Sequence, residues 1–172
     1  MGKVIIISVL LFFSGWVNAQ KDIFEIARNG TVEELKMQLK EKQGSINSVN
    51  NEGYSLLTLA TYRGNNEVAA FLIKEGAEIN GKSNYGTPLM AAVVKGNTEI
   101  VKLLLENNAD TGISDATGNT ALIYAVIFKK YEIAELLVKA KANINATDIR
   151  GKSALDYAKM VGDDRLIQIL NR

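Results

Sequence analysis

Four hydroxyl residues, Ser55, Thr87, Thr120 and Ser153, stand 32, 33 and 33 residues apart, and their surroundings recur with them. Gly53, Gly86, Gly118 and Gly151 come just before, Leu57, Leu89, Leu122 and Leu155 two positions after, and Ala60, Ala92, Ala125 and Ala158 three further on. Later in each unit Glu67, Glu99 and Glu132 precede the apolar pairs Val68-Ala69, Ile100-Val101 and Ile133-Ala134. The units close on Gly76-Ala77-Glu78, Asn108-Ala109-Asp110 and Lys141-Ala142-Asn143. A period of this length belongs to stacked arrays, in which one unit is too small to bury its own apolar face and must share a core with its neighbours.

Within a unit the residues dictate two short helices. Thr87 is placed to accept a hydrogen bond from the first turn of a helix that begins at Pro88, where the missing N–H costs nothing, and Leu89 with Ala92 supplies its apolar face. After Gly96, the spacing of Ile100, Val101, Leu104 and Leu105 predicts a second amphipathic helix, ending at Asn108, a residue that tolerates left-handed backbone. Neither helix is long enough to persist alone in water, so both stripes must be covered by adjacent copies.

On these residues, from Tyr85-Gly86-Thr87-Pro88-Leu89-Met90-Ala91-Ala92 to Asn108-Ala109-Asp110, the chain resembles the ankyrin repeat family. The resemblance implies an all-α solenoid of stacked helix-turn-helix units joined by short hairpins or turns. The units run from 22–47, a degenerate N-terminal cap, through 50–80, 83–112 and 115–145 to 148–172, a C-terminal cap. In the first, Ile23, Phe24, Ile26 and Ala27 and then Val32, Leu35, Met37 and Leu39 are expected to form the two stripes, with Leu155 expected in the core of the last. Unit three is one residue short before Thr87, a deletion expected in the hairpin finger, where length changes are tolerated. Unit four carries Lys129 and Lys141 at turns that ordinarily want glycine.

Apolar residues make up 47% of the chain and are concentrated in Val4 to Phe13, preceded by Lys3 and followed by Val17-Asn18-Ala19. A positive start, an apolar core of about a dozen residues and small residues before the cleavage point describe a secretory signal peptide over 1–19, with the repeat domain over 20–172. Cleavage after Ala19 would remove Lys3 and no acid, so 20 basic residues become 19 against 19 acidic ones. A neutral chain with no basic stripe gives no footprint for nucleic acid, and none for stable membrane association once the signal is removed. The expected location is exported, periplasmic or secreted. With no cysteine and no histidine, thiol nucleophiles, imidazole bases and ordinary zinc sites cannot be built.

Carboxylates, lysines and hydroxyls are what remain for catalysis. Asp163-Asp164 is an adjacent acidic pair in the repeats, but it follows Gly162 where acids favour a helix start, and Glu67, Glu99 and Glu132 recur at the same kind of position. No catalytic residue, cofactor or metal is therefore expected. The resemblance implies instead that a protein partner lies along the concave side, on finger tips and inner-helix ends. Carried over by position, the contact residues are Tyr54, Tyr62, Arg63, Tyr85, Val94, Lys95, Ile127, Phe128, Arg150 and Met160. Aromatic and apolar residues in columns expected to be wet mark an interaction stripe. The reading is a non-catalytic, monomeric, exported binding module, neutralising a toxin or supporting an exported enzyme. The alternative is an enzyme or accessory factor whose carboxylates escape recognition by motif.

Overall fold

A computed structural model of the protein describes residues 22–41, 45–83 and 86–171. The signal-peptide expectation, like Tyr85, lies outside the described residues. Ten helices follow one another among the described residues, two per unit: α1 (Ile23–Asn29) and α2 (Val32–Lys40), α3 (Leu56–Arg63) and α4 (Asn66–Lys74), α5 (Pro88–Lys95) and α6 (Thr98–Glu106), α7 (Ala121–Ile127) and α8 (Tyr131–Lys139), α9 (Ala154–Met160) and α10 (Asp164–Leu170). Odd-numbered helices pack on one another to form an inner layer, and even-numbered helices form an outer one. Inner helices approach more closely because Ala27, Ala60, Ala92, Ala125 and Ala158 are all fully buried between them. The inner layer is therefore the more tightly packed side of the array.

Side-chain caps start eight of the ten described helices, α1 and α8 being the exceptions. Ser55, Thr87, Thr120 and Ser153 each accept a hydrogen bond from the backbone N–H three residues on, at 3.1, 3.3, 3.3 and 3.2 Å. The outer helices of units two, three and five are capped in the same way by Asn65, Asn97 and Asp163. Glu67, Glu99 and Glu132 occupy first turns, where a negative charge meets the positive end of the helix dipole. Asn108 ends its unit with φ of 64°, and Lys129 and Lys141 keep the left-handed turn at 51° and 60° without glycine.

The deletion in unit three falls inside the finger. Asn50, Asp115 and Asp148 each donate their N–H across the finger base to Tyr54, Asn119 and Lys152, at 3.0, 3.1 and 3.0 Å. Each of those partners separates the finger glycine from the hydroxyl residue. Unit three lacks that residue, and Ser83 pairs with Gly86 itself at 3.0 Å.

The core runs unbroken from Ile23 to Leu170, with Leu57, Leu89 and Leu122 each 1% exposed. Two expectations fail at the ends. Met37 is 59% exposed, because it lies two residues from Leu35 and so points about 200° around the helix; Gln38 takes the inward position. Leu155 is half-buried, as is Ile167, since no further unit packs against them among the described residues.

Candidate functional site

Three inner-helix columns face the concave side. Leu59, Ala91, Tyr124 and Tyr157 form the first, Tyr62, Val94, Ile127 and Met160 the second, and Arg63, Lys95, Phe128 and Val161 the third, each repeating at 32 or 33 residues. Between these columns and the fingers runs a groove of about 680 Å³ spanning units one to four. Leu59, Met90, Ala91 and Val94 make its apolar floor, and Tyr54, Tyr62, Tyr124 and Phe128 its aromatic walls. Arg28, Arg63 and Glu52 stand on its rim.

Five of the ten residues expected at the contact surface, Tyr54, Tyr62, Arg63, Val94 and Phe128, come together in this groove. Lys95 is exposed beside them, its ammonium 5.2 Å from the centre of the Tyr62 ring. Tyr62 and Phe128 are 49% and 44% exposed, so neither is spent on the core. Ile127 is exposed on the same column outside the groove, and Met160 lies further along in unit five. Arg150 is occupied within its own finger, where its Nε is 3.2 Å from Asp148 and its guanidinium also donates to the Tyr157 hydroxyl.

Tyr124 belongs to the site and was not singled out by the sequence. Its hydroxyl donates to Asp115 at the finger base and its ring stacks on Phe128, with centroids 6.0 Å apart and planes 16° from parallel. Tyr157 repeats the arrangement one unit on, donating to Asp148 at 2.6 Å. Both tyrosines stand nine residues after their aspartate, a spacing visible in the sequence that could have revealed the pair. Burial pushes the Asp115 carboxyl up, but hydrogen bonds from Tyr124, Thr117 and the Asn119 backbone outweigh it and hold the group below the ordinary carboxylate value. At Asp148 the Tyr157 hydroxyl leads, with backbone donors from Lys152 and Arg150, and the carboxyl sits at about 2. The tyrosines are pushed the other way, Tyr124 by burial and then Asp115, Tyr157 by Asp148 and then burial. Both therefore stay protonated as fixed donors, and Tyr124 offers the groove its ring.

The acidic side chains with displaced pKa values are absorbed by local structure. Asp156 is held low by the Ser153 backbone and hydroxyl in a reciprocal cap, and Asp163 by the Leu166 N–H and the Tyr131 hydroxyl. Among the described residues no group of three or more acids converges to hold a metal ion. Nor is any described helix long and apolar enough to cross a membrane. What the groove presents is hydrocarbon, aromatic faces and a rim of Arg28, Arg63 and Glu52.

Residues 23–115, 80–148 and 107–171 each match a family model described as ankyrin repeats in three copies. The chain is similar to the human ankyrin repeat and KH domain-containing protein 1, 49% identical over 65 residues, which is 38% of this chain and 2% of that one. It is also similar to ankyrin repeat and SAM domain-containing protein 6 of Rattus norvegicus, 34% identical over 102 residues, 58% of this chain and 12% of the relative. A putative ankyrin repeat protein of Rickettsia bellii (strain RML369-C) is 33% identical over 124 residues, covering 63% of this chain and 72% of that protein. The chain thus spans a small fraction of the first two relatives and most of the third.

Proposed function

This chain belongs to the ankyrin repeat family, and we propose that it is a non-catalytic, exported protein-binding module whose concave groove receives a segment of one protein partner, such as a toxin to be neutralised or an enzyme to be supported. The observation that carries the reading is the groove itself, where exposed Tyr62 and Phe128 flank an apolar floor in a position the core does not need. Large aromatic side chains in such a setting bury much area for little lost rotamer freedom, which is why they dominate binding hot spots. The wall is also prearranged: Tyr124 is tied to Asp115 and stacked under Phe128, so little ordering entropy is lost on binding.

The test pairs two measurements on Phe128→Ala. Affinity for a partner captured by the full chain from the exported fraction should fall at least about 30-fold, the equivalent of a hot spot near 2 kcal/mol. Folding stability should fall by only about 1 kcal/mol, the loss of one ring stack at a half-exposed site. Lys139→Ala, exposed on an outer helix, is the control and should change neither. Unchanged affinity for Phe128→Ala would remove the groove from the binding surface. Export is supported by Lys3, the apolar run to Phe13 and the Val17-Asn18-Ala19 ending. Protein recovered outside the cytoplasm should have the mass of a chain beginning at Gln20, and full-length recovery in membranes alone would refute it.

A further inference from the structure

The groove has two chemically different ends. Toward units one to three its border carries Arg28, Arg63 and Lys95, opposed by the single acid Glu52. Toward unit four it is lined by Tyr124 and Phe128, with the Asp115 carboxylate behind them engaged by the Tyr124 hydroxyl. Arg28 is partly compensated by Glu25 at 3.8 Å, whereas Arg63 and Lys95 make no ion pair with any described residue. Lys95 is not adrift, because its ammonium lies over the Tyr62 ring, 5.2 Å from its centre, beside the groove. In a chain whose formal charge is only +1, this local excess of cations is a property of the groove and not of the protein at large.

We propose, building on the groove reading above, that the groove takes an extended acidic segment of the partner, with carboxylates facing Arg63 and Lys95 and an apolar or aromatic side chain against Tyr124 and Phe128. Adjacent packed helices lie about 8–10 Å apart, and an extended chain advances about 3.3 Å per residue, so each inner helix is passed in about three residues. The segment that fits reads acidic-x-x-acidic-x-x-aromatic, laid along the array. Charge complementarity at an exposed border acts chiefly on association rate and partner choice, and the aromatic end holds the complex. A nucleic acid strand is the poorer fit, since Glu52 faces the same groove and two uncommitted cations release few counterions.

Selection of random dodecapeptides on the full chain provides the probe. Recovered peptides should be enriched in Asp and Glu on one side of an aromatic residue. A synthetic peptide from that pool, followed by fluorescence anisotropy, should bind about tenfold more weakly to R63E/K95E, because attraction at two exposed sites becomes repulsion. Its Lys-for-Glu counterpart should recover affinity on that variant, and raising salt to about 0.5 M should weaken the original pair. Equal circular dichroism and urea midpoints for variant and parent establish that the exchange leaves the fold intact. Recovery of neutral or basic peptides, no recovery at all, failure of the charge swap, or displacement by single-stranded oligothymidylate would overturn the proposal. Neutral peptides that still lose affinity on Phe128→Ala would sink the acidic segment while leaving the groove reading standing; binding indifferent to both sets of variants would end both.

Discussion

Lys130→Asn should stabilise the protein. Lys130 occupies the position that caps the outer helix, held by Asn65 and Asn97 in the two preceding units, and it makes no side-chain cap hydrogen bond. Its backbone is already in place: φ and ψ are −89° and 74°, against −79° and 78° at Asn65 and −85° and 84° at Asn97. An asparagine there would accept from the Ile133 N–H as Asn97 accepts from Ile100 at 3.2 Å, a cap worth about 1 kcal/mol. Against this stands the lost packing of the half-buried Lys130 side chain, whose flexible far end lies over Gly96. Urea denaturation is the assay. With a slope of about 1–3 kcal/mol per M, the midpoint should rise by about 0.3–1 M with the slope unchanged. A midpoint that stays or falls would show that the lysine side chain contributes as much as a cap, and that matching positions in successive repeats are not energetically equivalent.

Leu89→Ala should cost about 2–5 kcal/mol, the range for emptying a leucine site buried on all sides, while Leu155→Ala, half-buried at the last unit, should cost less than half as much; equal losses would contradict the burial difference. Acid sensitivity should be concentrated below pH 4. The folded-state pKa of Asp148 is depressed from 3.8 to about 2, and those of Asp115, Asp156 and Asp163 are also lowered, so their stabilisation is fully present above about pH 4 and is lost as pH falls toward 2. Asp148→Asn preserves a side-chain oxygen for the finger N–H groups, as Asn50 does in unit two at 3.1 and 2.9 Å. Thermal melts at pH 7 and pH 3 should find this variant less stable than the parent at pH 7 and closer to it at pH 3, and a pH-independent difference would remove the charge from the account.

The repeats, the helix starts and the direction of each stripe were legible in the sequence because each depends on residues within one turn or one period. Thr87 before Pro88, Asn97 after Gly96 and the recurring Leu57 and Leu89 announce themselves locally, and stacking only multiplies the signal. The same logic misplaced Met37, since a run of alternating apolar and charged residues does not say which of two neighbouring rotations faces the core. Leu155 was read from its column, but burial there needs a neighbour on both sides, and among the described residues unit five has one only toward unit four. The groove was decided by tertiary structure. It joins Arg28 of unit one to Phe128 of unit four, residues brought to one groove only when the inner helices stack on one another over small alanines. Tyr124 shows the difference most sharply: its column is periodic, but its service as a wall depends on a hydroxyl bond back to Asp115 and a ring stacked under Phe128, geometry that exists only once finger and helix have packed.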